Sequence, residues 1–390
     1  MLEDLDKVEW DKLRHAYGLA ADVPARLRAL TSPNRGVRQE AWYVLHGNLW
    51  HQGTIYEATA YAVPFLIQLA CKPDVPDRHQ ILAYLGLIAR GSSFLAVHQN
   101  LSHHEARKTE PDFQEELQRE LGWVWDVRQA VRQGASLYNG LLDDGQPRVR
   151  AAAGHLLALL YEDAEIHLGW IRSRLAAGEP DDLIRATLAF CIGRLAAAAQ
   201  HEESIGFLEQ LVASDPAPAV RIAAALGLAW CIREAIPTHA LTVLIDGTSE
   251  PHGTETIFHH VLYEDEDFWT WYGKALCCGE IHSRIVPAIL STMGKSNDPE
   301  TIVERLLIAM LDDRPLKSGM QFSELKPSLC LALKGIAECE PLWIAVDRRA
   351  DRYRDVSTTG AIAMLQYFGL PGRRQDFQAF VDGRIRSNPT

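Results

Sequence analysis

Arg148-Val149-Arg150-Ala151-Ala152-Ala153 returns, slightly altered, as Ala219-Val220-Arg221-Ile222-Ala223-Ala224. Three more segments carry the same figure of a loop, an arginine and apolar residues at helical spacing. They are Gly36-Val37-Arg38-Gln39-Glu40-Ala41, Asp77-Arg78-His79-Gln80-Ile81-Leu82 and Leu183-Ile184-Arg185-Ala186-Thr187-Leu188. The arginines stand at 38, 78, 150, 185 and 221, so the gaps are 40, 72, 35 and 36, and 72 is two periods of 36. A looser copy, Asp298-Pro299-Glu300-Thr301-Ile302-Val303-Glu304-Arg305, lies further on. A period of this length marks a repeat architecture, in which each unit buries its apolar face against its neighbours.

The repeated unit reads as helical. Between Arg150 and Tyr161 the apolar residues fall at 152, 153, 156, 157, 159 and 160, a stripe so wide that almost no outer face remains. A helix of that kind sits between neighbours. Ala and Leu dominate and alternating β-branched residues are few, which excludes a strand reading. Pro24, Pro64 and Pro287 each open an apolar run, and the first two precede their arginines by 14 residues. Proline fits the first helical turn, where its missing N–H has no partner to lose. Each unit is therefore expected to be helix A opened by proline, a turn, and helix B opened by Val-Arg. The expected fold is all-α, an α-α superhelix of stacked helical hairpins spanning residues 1–390 as a single solenoid of about nine or ten hairpins. Its first repeats occupy 1–90. Residues 91–139 form an irregular repeat or insertion, and 140–246 hold regular repeats. An acidic–aromatic insertion fills 247–283, and divergent repeats with a cap fill 284–390.

The run Asp-x5-Arg, with Val before the Arg and Ala and Leu after it, resembles HEAT repeats and the related phycobilisome-lyase HEAT-like repeats. That resemblance covers 20–90 and 140–235 clearly. It implies a side-chain ladder of Asp and Arg along the stack. Asp144 with Arg150 and Asp215 with Arg221 match the spacing, while Arg38, Arg78 and Arg185 have Ser32, Lys72 and Glu179 at the equivalent place. The resemblance specifies a fold and leaves function open.

The formal charge of −12 makes nucleic acid an unexpected partner, because phosphate binding needs clustered Lys and Arg. It suits a protein or peptide partner of basic character. No apolar run is long enough to span a bilayer, and the start of the chain lacks the layout of a signal peptide. The seven cysteines are scattered without a C-x-x-C pair, so no zinc knuckle or disulfide framework is indicated. A cytoplasmic location follows as an expectation.

Two constellations stand out as binding candidates. His15-Ala16-Tyr17-Gly18 precedes the first helix A, and His51-Gln52-Gly53-Thr54-Ile55-Tyr56 lies between the first and second repeats. His15, Tyr17, His51, Gln52, Thr54 and Tyr56 are polar or aromatic residues at element ends on adjacent repeats, where they can converge. Thr54 with Glu57 three residues on also reads as a capping box, a purely structural alternative. The second constellation is the run Glu264-Asp265-Glu266-Asp267-Phe268-Trp269-Thr270-Trp271-Tyr272. Its Trp269 and Trp271 could anchor a basic partner.

No catalytic residue, metal or other cofactor is expected. His103-His104-Glu105, His201-Glu202-Glu203 and His259-His260 with Glu264 lie outside the Val-Arg helices, unlike the His-Glu pairs of HEAT-like deoxyhypusine hydroxylases. Trp123-Val124-Trp125-Asp126-Val127-Arg128 superficially resembles the Trp and Asp set of HEAT-like DNA glycosylases. The expected role is a non-catalytic scaffold or adaptor that binds protein or peptide on its concave face. The alternative is an enzyme with a pocket in the curve, glycosylase-like or lyase-like, acting on a nucleobase or small molecule.

Overall fold

The computed structural model describes residues 2–98, 106–232, 236–247, 281–296, 298–311, 315–352 and 361–387. Trp269 and Trp271, with the rest of the acidic–aromatic run, lie outside them, as do His103-His104-Glu105 and His259-His260 with Glu264. The described chain is all-α apart from two minimal β-hairpins. It falls into two compact units, the first ending at Glu179 and the second beginning at Pro180. Among the described residues no helix is long and apolar enough to cross a membrane.

In the first unit α1 (Val23–Ala29) and α2 (Arg35–Asn48) form one helical hairpin, and α3 (Glu57–Ala70) and α4 (Arg78–Ile88) form the next. A short α5 (Phe94–His98) leads to α6 (Phe113–Gln133), α7 (Ala135–Gly140), α8 (Pro147–Leu159) and α9 (Ala164–Ala176). α6 packs along α3, and α8 packs directly on α4. The 72-residue spacing therefore holds no intervening Val-Arg helix. Its extra length goes into α5 and a 21-residue α6. Gly86 permits the close approach of α4 and α8, since a Cβ there would lie 2.7 Å from Leu159 Cδ1. Every residue of α8 from Val149 to Leu159 is buried, as its wide apolar stripe predicts.

Pro24 occupies the first turn of α1 as expected. Pro64 does not open its helix. α3 begins seven residues earlier, at Glu57, because Tyr56 is extended and its N–H bonds Thr59 Oγ1 at 3.2 Å. Pro287 likewise lies inside the helix Ile281–Met293. Both prolines are on exposed faces, where water can satisfy a carbonyl that loses its N–H partner.

The arginines make a ladder, with rungs joining one hairpin to the next. Arg38 Nε donates to Asp77 at 2.7 Å, and Arg78 forms a two-pronged pair with Asp144 at 2.7 and 2.9 Å. Arg150 does the same with Glu179 at 2.8 and 2.7 Å. In the second unit Arg185 reaches Asp215 at 3.1 Å. Where an acid stands six residues before an arginine, as at Asp144, Glu179 and Asp215, its carboxylate serves the preceding arginine, and Arg150 meets Asp144 through the backbone carbonyl, at 2.8 Å. Arg38 likewise takes the Ser32 carbonyl, at 2.9 Å. Lys72 is replaced as a rung by Asp77, which holds a left-handed conformation (φ 53°) that Asp tolerates better than most residues. Burial alone would raise the Asp144 carboxyl, but the Arg78 bond, the Gln146 N–H and the charges of Arg78 and Arg150 hold it below its usual value. Arg221 Nε is buried and makes no hydrogen bond among the described residues.

The second unit contains α10 (Asp182–Ala199), α11 (Glu202–Ser214), α12 (Pro218–Cys231) and α13 (Thr238–Asp246). Further helices cover Ile281–Met293, Pro299–Leu311, Pro327–Glu338, Glu340–Arg352, Ala361–Tyr367 and Arg374–Val381. Asp181 caps α10 by accepting from the N–H groups of Leu183 and Ile184 at 2.9 and 3.1 Å. α10 and α12 cross on a pair of glycines: a Cβ on Gly193 would come within 2.2 Å of Gly227 Cα.

Candidate functional site

The sequence candidates on the first two repeats sit on the two β-hairpins. β1 (Arg14–His15) pairs with β2 (Gly18–Leu19), and β3 (Trp50–His51) pairs with β4 (Thr54–Ile55). Gln52 (φ 50°) and Gly53 (φ 96°) make the two-residue turn of the second hairpin with both residues at positive φ. That turn leaves Gln52 exposed at its tip. The first hairpin is tied to the end of α2, where Ala16 N–H bonds the Asn48 carbonyl at 3.0 Å. The second is tied to the chain after α4 by Ile55 N–H to Ser92 O (3.1 Å) and Ser92 N–H to Gly53 O (2.8 Å).

His15 is buried and its ring is committed internally. Nδ1 accepts from the Tyr17 N–H at 3.1 Å, so the proton of the neutral ring belongs on Nε2, which donates to Asp22 at 3.0 Å. Asn48 Nδ2 donates to the other Asp22 oxygen at 2.9 Å. His15 therefore shapes the first hairpin and fixes the backbone of Tyr17.

Tyr17 is 69% exposed yet held in place. Its ring packs over Gly47, where an added Cβ would lie 3.7 Å from Cε2. It meets His51 edge-on with centroids 5.4 Å apart, and its hydroxyl lies 3.3 Å from His51 Nδ1. Tyr17 and His51, 34 residues apart in the chain, are thus brought into direct contact.

Thr54 is not the helix cap that its spacing to Glu57 suggests, because it lies in β4, before the extended Tyr56 that precedes α3. Its hydroxyl donates to the His51 carbonyl at 2.7 Å and so must accept from the Tyr56 hydroxyl at 3.0 Å. Glu57 instead accepts from the Arg14 N–H at 3.2 Å. Burial raises the pKa of the half-buried Tyr56 hydroxyl, with the Thr54 bond opposing and the Glu120 and Tyr17 charges adding to the rise. Glu120, from α6, accepts from Ser93 Oγ at 2.6 Å and from the Leu95 N–H at 2.8 Å. Ser93 adjoins the Ser92 that pairs with β4. A chain of contacts therefore runs Tyr17–His51–Thr54–Tyr56, with the Glu120 carboxylate on its flank.

No family model matches this chain, and no curated protein or solved structure is found similar to it. The site must be read from its own chemistry.

Asp22, Asn48 and Glu120 complete this region, and the sequence did not single them out. Asp22 ahead of Val23-Pro24 carries the faint signal of a residue preceding a helix. Nothing distinguishes Glu120 from the other charges of a polar helix. Trp125 is exposed on α6, but Arg128 in the same segment is spent on packing. It lies over the Tyr161 ring, 4.5 Å from its centroid, pairs with Glu162, and donates to the carbonyls of Ala89 (2.9 Å) and Leu159 (3.3 Å). It thereby satisfies the C-terminal ends of α4 and α8. His201 bonds Ser204 Oγ at 3.1 Å. Among the described residues no group of three His, Cys, Asp or Glu side chains is placed to hold a metal ion.

Proposed function

We propose that the helical hairpins are HEAT-like repeats and that the protein is a non-catalytic binding module for a protein or peptide partner. In this reading the two β-hairpins of the first two repeats form its contact site, and the protein acts in the cytoplasm. The observation that carries the reading is Tyr17, a large side chain that is 69% exposed and yet fixed by its backbone bond to His15, its packing on Gly47 and its contact with His51. An ordered exposed tyrosine has already lost the conformational freedom that binding would otherwise remove. Tyrosines so placed dominate binding energy at interfaces. The Arg–acid rungs supply the stiffness such a site needs, because they fix each hairpin against the next.

The test compares partner capture from the native source by the full chain and by its Tyr17→Ala and His51→Ala variants. Loss of one identified partner by both variants, with unchanged circular dichroism and thermal melt, is the expected result. Undiminished capture of that partner by both would refute the assignment of the site.

A further inference from the structure

The site described above has a definite electrostatic character. Tyr17, His51 and Tyr56 present aromatic rings on adjoining hairpin segments, joined by the Tyr17–His51 contact at 3.3 Å and the Thr54–Tyr56 bond at 3.0 Å. The face of a tyrosine ring is electron-rich and attracts cations. Glu120 makes its hydrogen bonds to Ser93 and to the Leu95 N–H, both neutral donors. Among the described residues no arginine or lysine pairs with it. Its carboxylate therefore has no ion-pair partner among the described residues, and it is tied to the second hairpin through Ser93, which adjoins the Ser92 bonded to Gly53 and Ile55. This differs from the ladder acids, each of which has its own arginine. His51 bonds through Nδ1 to Tyr17, and its Nε2 makes no hydrogen bond among the described residues.

We propose that Tyr17, His51, Tyr56 and Glu120 form the seat for one cationic side chain, a lysine or arginine presented by the protein partner. This rests on the binding-module reading and gives that partner its chemistry. The carboxylate supplies the charge and the tyrosine faces supply the walls, a combination that favours a cation over a neutral group of the same shape. The chain's net charge of −12 acts in the same direction, since it raises the local concentration of basic partners.

The experiment uses the full chain labelled with 13C on its tyrosines, with the Tyr17 and Tyr56 signals assigned through Tyr17→Phe and Tyr56→Phe. It is titrated with N-acetyl-arginine amide, N-acetyl-lysine amide bearing a free ε-amine, and N-acetyl-citrulline amide. Citrulline keeps the shape of arginine without its charge. The expected result is that at least one cationic amide moves both signals and binds at least about fivefold more tightly than citrulline. Whether arginine or lysine leads tells a planar guanidinium from a point charge. Glu120→Gln, whose side-chain oxygen can still accept from Ser93 and Leu95, should remove most of that preference. Equal response to citrulline overturns the proposal. So does a flat titration with all three, or a preference that survives Glu120→Gln. The citrulline comparison needs no variant and holds even if Glu120→Gln folds poorly. If a partner is captured in a Tyr17-dependent way while these titrations stay flat, the cationic seat falls and the binding module stands.

Discussion

Replacing Glu179 by Gln should destabilise the first unit by about 3 kcal/mol. The Glu179 side chain is fully buried, while those of Arg150 and Arg174 are 9% and 12% exposed. It accepts two bonds from Arg150, at 2.8 and 2.7 Å, and one from Arg174 at 2.8 Å. Glutamine has nearly the same shape, so packing is preserved and the loss is of charge. One carboxylate oxygen becomes an NH2 group, itself a donor, which faces guanidinium donors and cannot accept from them. Breaking a buried pair from one side costs about 3–5 kcal/mol, because the remaining charge is stranded. The lower end applies here, since Arg150 keeps the Asp144 carbonyl and Arg174 keeps the Leu142 carbonyl, each at 2.8 Å. Hydrogen exchange read on peptides from α8 and α9 gives the local opening free energy of this unit, unaffected by how the second unit unfolds. A Glu179→Gln value within about 0.5 kcal/mol of the natural protein, the ordinary range for a surface change, would refute the reasoning.

Two further outcomes follow from the same structure. Gly193→Ala should disrupt the α10–α12 crossing, because its Cβ would fall 2.2 Å from Gly227 Cα. A lowered thermal midpoint confined to the second unit is expected, and an unchanged midpoint would show that the helices can separate freely. Stability of the first unit should fall on acidification below about pH 6.5, the value of an unperturbed histidine. His46, packed among Trp42, Trp50 and Tyr84, has its pKa held well below that value by burial, and His167 is lowered for the same reason. Below pH 6.5 the unfolded chain takes up protons that the folded chain refuses. Each histidine then removes about 1.4 kcal/mol per pH unit, until the pH reaches its folded pKa. Urea titrations between pH 7.5 and 5.5 should show this slope, and it should shrink in His46→Leu.

The all-α fold was legible because Val-Arg followed by a wide apolar stripe can only be a helix packed on both sides. The rungs were half legible. Asp144 and Asp215 stood out by their distance from the next arginine while Glu179 counted as a departure, and that distance hides the true partner, which is the arginine before. Linear spacing records what lies near in the chain, whereas Arg78 meets an acid 66 residues away. The same limit governs the site. His15, Tyr17, His51 and Tyr56 were visible as polar aromatics at element ends, yet only the folded chain shows that His15 turns inward while Tyr17 stands in the open. Thr54 was misread as a helix cap because a two-residue strand, too short to leave a pattern, separates it from α3. Glu120 left no trace, since its role depends on a contact with Ser93, 27 residues before it.

A rung that joins neighbours places no demand on what lies between them. Arg78 and Asp144 hold their hairpins together although α5 and the long α6 intervene. The chain can therefore lengthen inside any repeat, or duplicate a whole one, as long as each arginine still meets the next acid. The inserted α6 then joins the packing, lying along α3 and closing the ends of α4 and α8 through Arg128. The ladder thus acts as a grammar under which such a protein can acquire new segments by small steps without first having to refold.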